Sequence, residues 1–83
     1  MSSTKTIELA YYALLREQRG VSNEKRATTA ITARELYLEL KTEFGFELQV
    51  EDLKVAINGD FTDNDMPIHD GDTIVFIPPV TGG

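Results

Sequence analysis

The chain has no cysteine and no tryptophan, one histidine (His69) and three prolines in 83 residues. Without cysteine there is no disulfide framework, no thiolate metal site and no protein thiol to act as a nucleophile. A lone histidine has no partner for a metal triad or a Cys-His pair, so His69 reads as a turn residue in His69-Asp70-Gly71-Asp72. No apolar run approaches the roughly 20 residues of a membrane helix. The segment Met1-Ser2-Ser3-Thr4-Lys5-Thr6 enters a strand-like pattern without the apolar core of a signal peptide, and a cytoplasmic location is expected. The length suits one small domain with one modest core.

Basic side chains are scarce in the second half. Residues 42–83 hold one basic and nine acidic residues, against seven basic and five acidic in residues 1–41, and the net charge is −6. Such a field repels nucleic-acid phosphates and favours encounter with a basic protein surface. Surplus carboxylates also serve solubility, so charge alone does not choose between the two.

What is present is a short series of well-punctuated elements. In Thr6–Tyr12, residues Ile7, Leu9 and Tyr11 alternate with Glu8, Ala10 and Tyr12, which predicts a first strand. Ala13–Arg19 is built of good helix formers and ends at Gly20, a left-handed stop. The polar stretch Val21–Ala30 reads as a loop entering a weak second strand paired with the first. Thr32 with Glu35 makes a capping box, and Ala33, Leu36, Tyr37, Leu40 and Phe44 form one apolar stripe before Gly45, predicting a helix from about Ala33 to Phe44. Lys54–Asn58 alternates like a strand, Asn58-Gly59 is a hairpin turn, Phe61-Thr62 returns, and Ile74–Ile77 is a buried strand. The order implies an α+β domain: one twisted sheet with a helix packed across it.

No internal catalytic constellation emerges. Asp60, Asp63, Asp65, Asp70 and Asp72 lack the register of a calcium loop, since the sixth residue from Asp60 is Asp65 and from Asp63 is Ile68, where glycine is needed. They read as solvated turn residues. Ser2, Ser3 and Ser22 lie outside the predicted elements, in segments poorly placed to aim a nucleophile.

The C-terminal end is the informative stretch. Pro78-Pro79 follows the last strand and stops ladder pairing, because neither residue has an N–H to donate. Paired prolines favour a stiff extended segment that carries Val80, Thr81, Gly82 and Gly83 away from the body. Glycines without Cβ atoms let a terminal carboxylate pass through a narrow channel. A Gly-Gly end also arises by chance, but the order of buried strand, rigid exit and Gly-Gly argues for a carried reactive group. A carboxylate becomes an electrophile only when activated, so an adenylating partner would be required.

The chain resembles the small, sulfur-carrying subunit of molybdopterin synthase, a ubiquitin-like β-grasp family. The resemblance is carried by Leu15-Arg16-Glu17 with Gly20, by Ala56-Ile57-Asn58-Gly59, by Asp70-Gly71-Asp72, and above all by Ile77-Pro78-Pro79-Val80-Thr81-Gly82-Gly83. It departs in the long polar loop Val21–Ile31 and in Ile77, where an aromatic residue is frequent. The resemblance implies a ubiquitin-like β-grasp domain over residues 1–77 and a tail over residues 78–83 that threads into the large synthase subunit. It also implies that an E1-like enzyme using ATP and Mg²⁺ adenylates Gly83, and that a persulfide donor converts it to a thiocarboxylate. That sulfur would attack cyclic pyranopterin monophosphate to build the dithiolene of the molybdenum or tungsten cofactor. Catalytic side chains would lie on the large subunit, with no metal and no stably bound cofactor on this chain.

A contact patch is expected near the end of the last strand, at Phe76 or Ile77. Three readings stay open from the residues: a sulfur donor, for this or another pathway such as thiamine synthesis or transfer-RNA thiolation; a protein modifier joined to lysines through Gly83; and a plain interaction domain.

Overall fold

The computed structural model describes residues 4–79. Strand β1 (Lys5–Tyr11) leads through Tyr12 into helix α1 (Ala13–Arg19), then β2 (Asn23–Thr28) and helix α2 (Ala33–Phe44). A single 3-10 turn (Val50–Asp52) precedes β3 (Lys54–Ile57), β4 (Asp60–Thr62) and β5 (Thr73–Ile77). The five strands form one mixed sheet in the order β2-β1-β5-β3-β4, with β1 and β5 parallel and the other neighbours antiparallel. The last strand therefore lies in the middle of the sheet, where its hydrogen bonds and inner face are protected.

Alternation in the sequence becomes two faces of this sheet. Ile7, Leu9 and Tyr11 of β1, Val55 of β3, and Ile74 and Phe76 of β5 point inward and are buried. Against them lies the α2 stripe of Ala33, Leu36, Tyr37 and Leu40. Helix α2 begins as its sequence requires, with the Thr32 hydroxyl accepting the Glu35 N–H at 3.2 Å. The Glu35 carboxylate reaches back to the N–H of Ile31 at 3.2 Å, one residue before the cap, so the box is offset by a position.

Two details differ from the periodicity. Tyr12 leaves the first strand and caps α1 with an extended backbone, exposing its ring. Phe44, the last member of the predicted stripe, is only partly buried, and Phe46 takes the core position. Gly45, at φ 72°, turns the chain left-handed at the helix end and returns Phe46 beneath it. There Phe46 stacks on Tyr37 at 5.9 Å and meets Tyr11 edge-on at 6.0 Å. Phe44 instead lies under the Arg19 guanidinium, 4.2 Å from its ring centre, on the flank of the domain.

Candidate functional site

The end of β5 is built by its two neighbours. Phe76 is opposite Tyr11 of β1 and Val55 of β3, and Ile77 pairs with Lys54 in the final rung. The strand ends at Ile77, and Pro78, half-buried, and Pro79, exposed, follow outside the ladder. Val80, Thr81, Gly82 and Gly83, the tail-threading and reactive positions expected from the sequence, lie outside the described residues.

Of the two expected contact residues, the structure separates one from the other. Phe76 is fully buried, its ring 5.2 Å from that of Tyr37, and it is a core residue, not a surface contact. The cause is the period of two: Phe76 shares the inward face with Ile74, so Ile77 and Val75 share the outward one. Ile77 is half-buried on that outer face.

The register reveals an apolar row that sequence reasoning did not assemble. Ala10 of β1 is opposite Val75 of β5, Val75 opposite Ala56 of β3, and Ala56 opposite Phe61 of β4. Phe61 is 71% exposed at the far end of the row. These four residues come from four separate strands, and Ile77 adjoins them one step toward the tail. Alternation within each strand hinted at an outer face, but only the pairing register aligns the residues. Among the described residues no helix covers this side, because α2 packs on the other.

The opposite end of the sheet holds Asp70 and Asp72, whereas Asp63 and Asp65 follow β4 on the side of Lys54 and Ile77. The Asp70 carboxylate accepts the Thr6 N–H at 2.7 Å, and Asp72 accepts from the Asn58 side-chain amide at 2.9 Å and the His69 N–H at 2.8 Å. Asn58, at φ 53°, in turn accepts the Thr73 N–H through its side chain at 2.9 Å. These carboxylates lock the turn that feeds β5 and leave His69 exposed beside Asp72. Arg34 binds Asp65 at 2.8 Å and Glu51 at 2.9 Å on the surface.

Among the described residues the clearest perturbed ionisations belong to groups that hold the fold. The Tyr11 hydroxyl is pushed well above the usual tyrosine range, first by burial and then by its 2.7 Å hydrogen bond to the Glu24 carboxylate. Glu24 is held below the ordinary glutamate value mainly by the forked hydrogen bonds it accepts from Arg19. Burial raises Tyr37 to about 12, and its hydroxyl donates to the Leu48 carbonyl at 2.8 Å. Tyr11 is opposite Phe76 near the end of β5, but its hydroxyl is committed to Glu24, and that of Tyr37 to the Leu48 carbonyl.

The family model described as the ThiS family matches residues 9–83. The chain belongs to the ThiS family. Among curated protein sequences none matches it. Solved structures place this ThiS-family chain in a ubiquitin-like β-grasp group. One is a candidate molybdopterin converting factor subunit 1 from Pyrococcus furiosus, with 27% identity, a TM-score of 0.71, and coverage of 92% of this chain and 99% of that one. Another is a complex of subunits 1 and 2 of molybdopterin-converting factor from Helicobacter pylori, with 28% identity, TM-score 0.62, and coverage of 94% and 99%. A third, small archaeal modifier protein 1 from Haloferax volcanii, shares the fold at 20% identity, TM-score 0.75, and coverage of 94% and 99%. The protein is a ThiS-like, ubiquitin-like sulfur carrier of β-grasp fold. Among its described residues no helix is long and apolar enough to cross a membrane.

Proposed function

We propose that the chain is the small subunit of molybdopterin synthase and that Gly83 is the atom-carrying end. An E1-like enzyme, using ATP and Mg²⁺, joins the Gly83 carboxylate to AMP with loss of pyrophosphate. The terminal sulfur of a persulfide donor then displaces AMP to give an acyl disulfide. A thiol, the donor's own second cysteine or an external reductant, cleaves the S–S bond to release the thiocarboxylate and leave a disulfide on the thiol side. The large subunit receives the tail, and the sulfur attacks cyclic pyranopterin monophosphate there. Seating the tail converts an encounter between two molecules into a reaction at high effective concentration. The softer sulfur atom is the better nucleophile once it is held in line.

The observation that carries this reading is the exit of a central strand onto Pro78-Pro79. A central strand is the stiffest mount the sheet offers, and Pro78 and Pro79, with restricted φ and no N–H to donate, end the ladder there. The likeness to subunit 1 of molybdopterin-converting factor, which in the Helicobacter pylori structure is in complex with subunit 2, supports the choice of partner. The apolar row from Ala10 to Phe61, with Ile77 beside it, is the face this reading assigns to the large subunit. A second reading, conjugation to protein lysines through Gly83, is supported by the fold shared with small archaeal modifier protein 1.

The test is the intact mass of the protein after incubation with its host's adenylating enzyme, ATP and a sulfur source, with mapping of the C-terminal peptide. A gain matching exchange of one oxygen for sulfur at Gly83 is expected, and one residue appended after Gly83 abolishes it. An unmodified Gly83 beside a demonstrably active enzyme refutes the reading. Isopeptide conjugates in cell extract, without the thiocarboxylate, transfer the assignment to the modifier.

A further inference from the structure

Beside the root of the tail, a cleft of about 340 Å³ separates α1 from the chain's exit. It is lined by Ala13, Leu14 and Glu17 on one side and by Leu48, Pro78 and Pro79 on the other. Ala13 has φ 52°, a left-handed conformation that residues with a Cβ avoid. Such strain persists where the surroundings impose it, and it concentrates at functional sites. Leu14, the next residue, is 37% exposed despite being apolar. Leu48 packs against the core, and its carbonyl is held by the Tyr37 hydroxyl, so that wall is rigid.

Glu17 supplies the one charge in the lining. It is exposed and makes no ion pair or side-chain hydrogen bond among the described residues. By contrast Glu24, Glu39, Glu43, Glu51 and Asp65 are each committed to an arginine. Arg16, next to Glu17 on the helix, does not line the cleft. The cleft thus presents apolar walls with a single unneutralised carboxylate, on a chain of net charge −6.

We propose that this cleft receives an arginine side chain of the adenylating enzyme, seating the carrier before Gly83 reaches ATP; the proposal rests on the carrier reading above. The aliphatic stem of arginine covers Leu14, Leu48 and Pro78, and its planar fork meets the Glu17 carboxylate in two hydrogen bonds. Continuity with the tail points to a protein that holds Gly83, and because adenylation precedes every other proposed use of that residue, the activating enzyme is taken as the occupant. Pro79 is in the cleft wall, and the four residues beyond it span at most about 14 Å when extended. An enzyme that holds Gly83 therefore has its surface within reach of the cleft. The chain's net charge of −6 favours encounter with a basic surface, and Glu17 is the carboxylate the cleft offers it.

Steady-state ATP–pyrophosphate exchange with the full-length chain as the varied substrate tests the idea, using the wild-type protein, Glu17→Gln and Glu17→Lys. A KM raised about tenfold is expected for Glu17→Gln and more for Glu17→Lys, with kcat and the thermal midpoint unchanged. The gap between wild type and variants should narrow as salt increases. Wild-type KM in both variants, or a fall in kcat alone, overturns the cleft assignment while leaving the carrier reading intact. Failure of the wild-type chain to support exchange, with an enzyme active on another carrier, removes the carrier reading and the cleft's role with it.

Discussion

Phe76 and Ile77 are neighbours in sequence with opposite consequences, and replacing each by alanine separates fold from function. Phe76 is fully buried in the central strand, with Tyr11 and Val55 opposite it and Tyr37 against its ring. Removing a buried phenyl group costs about 3–5 kcal/mol, from lost transfer energy and the cavity left behind. At roughly 0.05–0.15 kcal/mol per residue, a domain of 83 residues has a total stability of about 4–12 kcal/mol. Phe76→Ala therefore consumes about a quarter or more of the total, and at the low end of that total it leaves the protein close to unfolding. Ile77→Ala removes three carbons from a half-buried outer position, worth about 1 kcal/mol. Urea unfolding followed by circular dichroism gives both numbers. The Ile77 variant should stay folded yet bind the large synthase subunit more weakly, since its side chain is on the outer face. A loss below about 1.5 kcal/mol for Phe76→Ala, at unchanged m-value, would refute the assignment of Phe76 to the core. Wild-type affinity for Ile77→Ala would remove that residue from the interface.

Two further substitutions test the framework that holds β5. Glu24 has its pKa lowered below the ordinary glutamate value of 4.5, so its contribution is present above that value and is lost as pH falls from 4.5 through the lower folded value. Glu24→Gln should accordingly flatten the acid limb of a stability–pH curve in that window, and an unaltered limb would place the acid sensitivity elsewhere. Thr32→Ala removes the hydroxyl that accepts the Glu35 N–H and should cost about 1 kcal/mol, with Thr32→Ser restoring most of it in thermal melts.

Much of this architecture is legible in the sequence because local rules act there without competition. Period-two alternation in Lys5–Tyr11, the apolar run Ile74–Ile77, the Thr32 cap with its α2 stripe, and Asn58-Gly59 at positive φ all express preferences of a few neighbouring residues. The stop at Pro78 is equally local, since a missing N–H ends a ladder wherever it falls. The site was harder to read where it depends on residues far apart in the chain. Periodicity groups Phe76 with Ile74 but does not say which face is covered, and the core position of Phe46 follows from a turn at Gly45 that no stripe anticipates. The row Ala10, Val75, Ala56 and Phe61 exists only because β5 is inserted between β1 and β3, which the pairing register decides. Likewise Glu17 and Pro79 meet across one cleft because the parallel pairing of β1 and β5 brings the start of α1 to the tail's root. By itself the sequence determined most of the elements and their stops and raised the expectation of a reactive Gly-Gly end; tertiary packing alone decided what surrounds the end of β5, because side chains distant in sequence become neighbours only through the sheet.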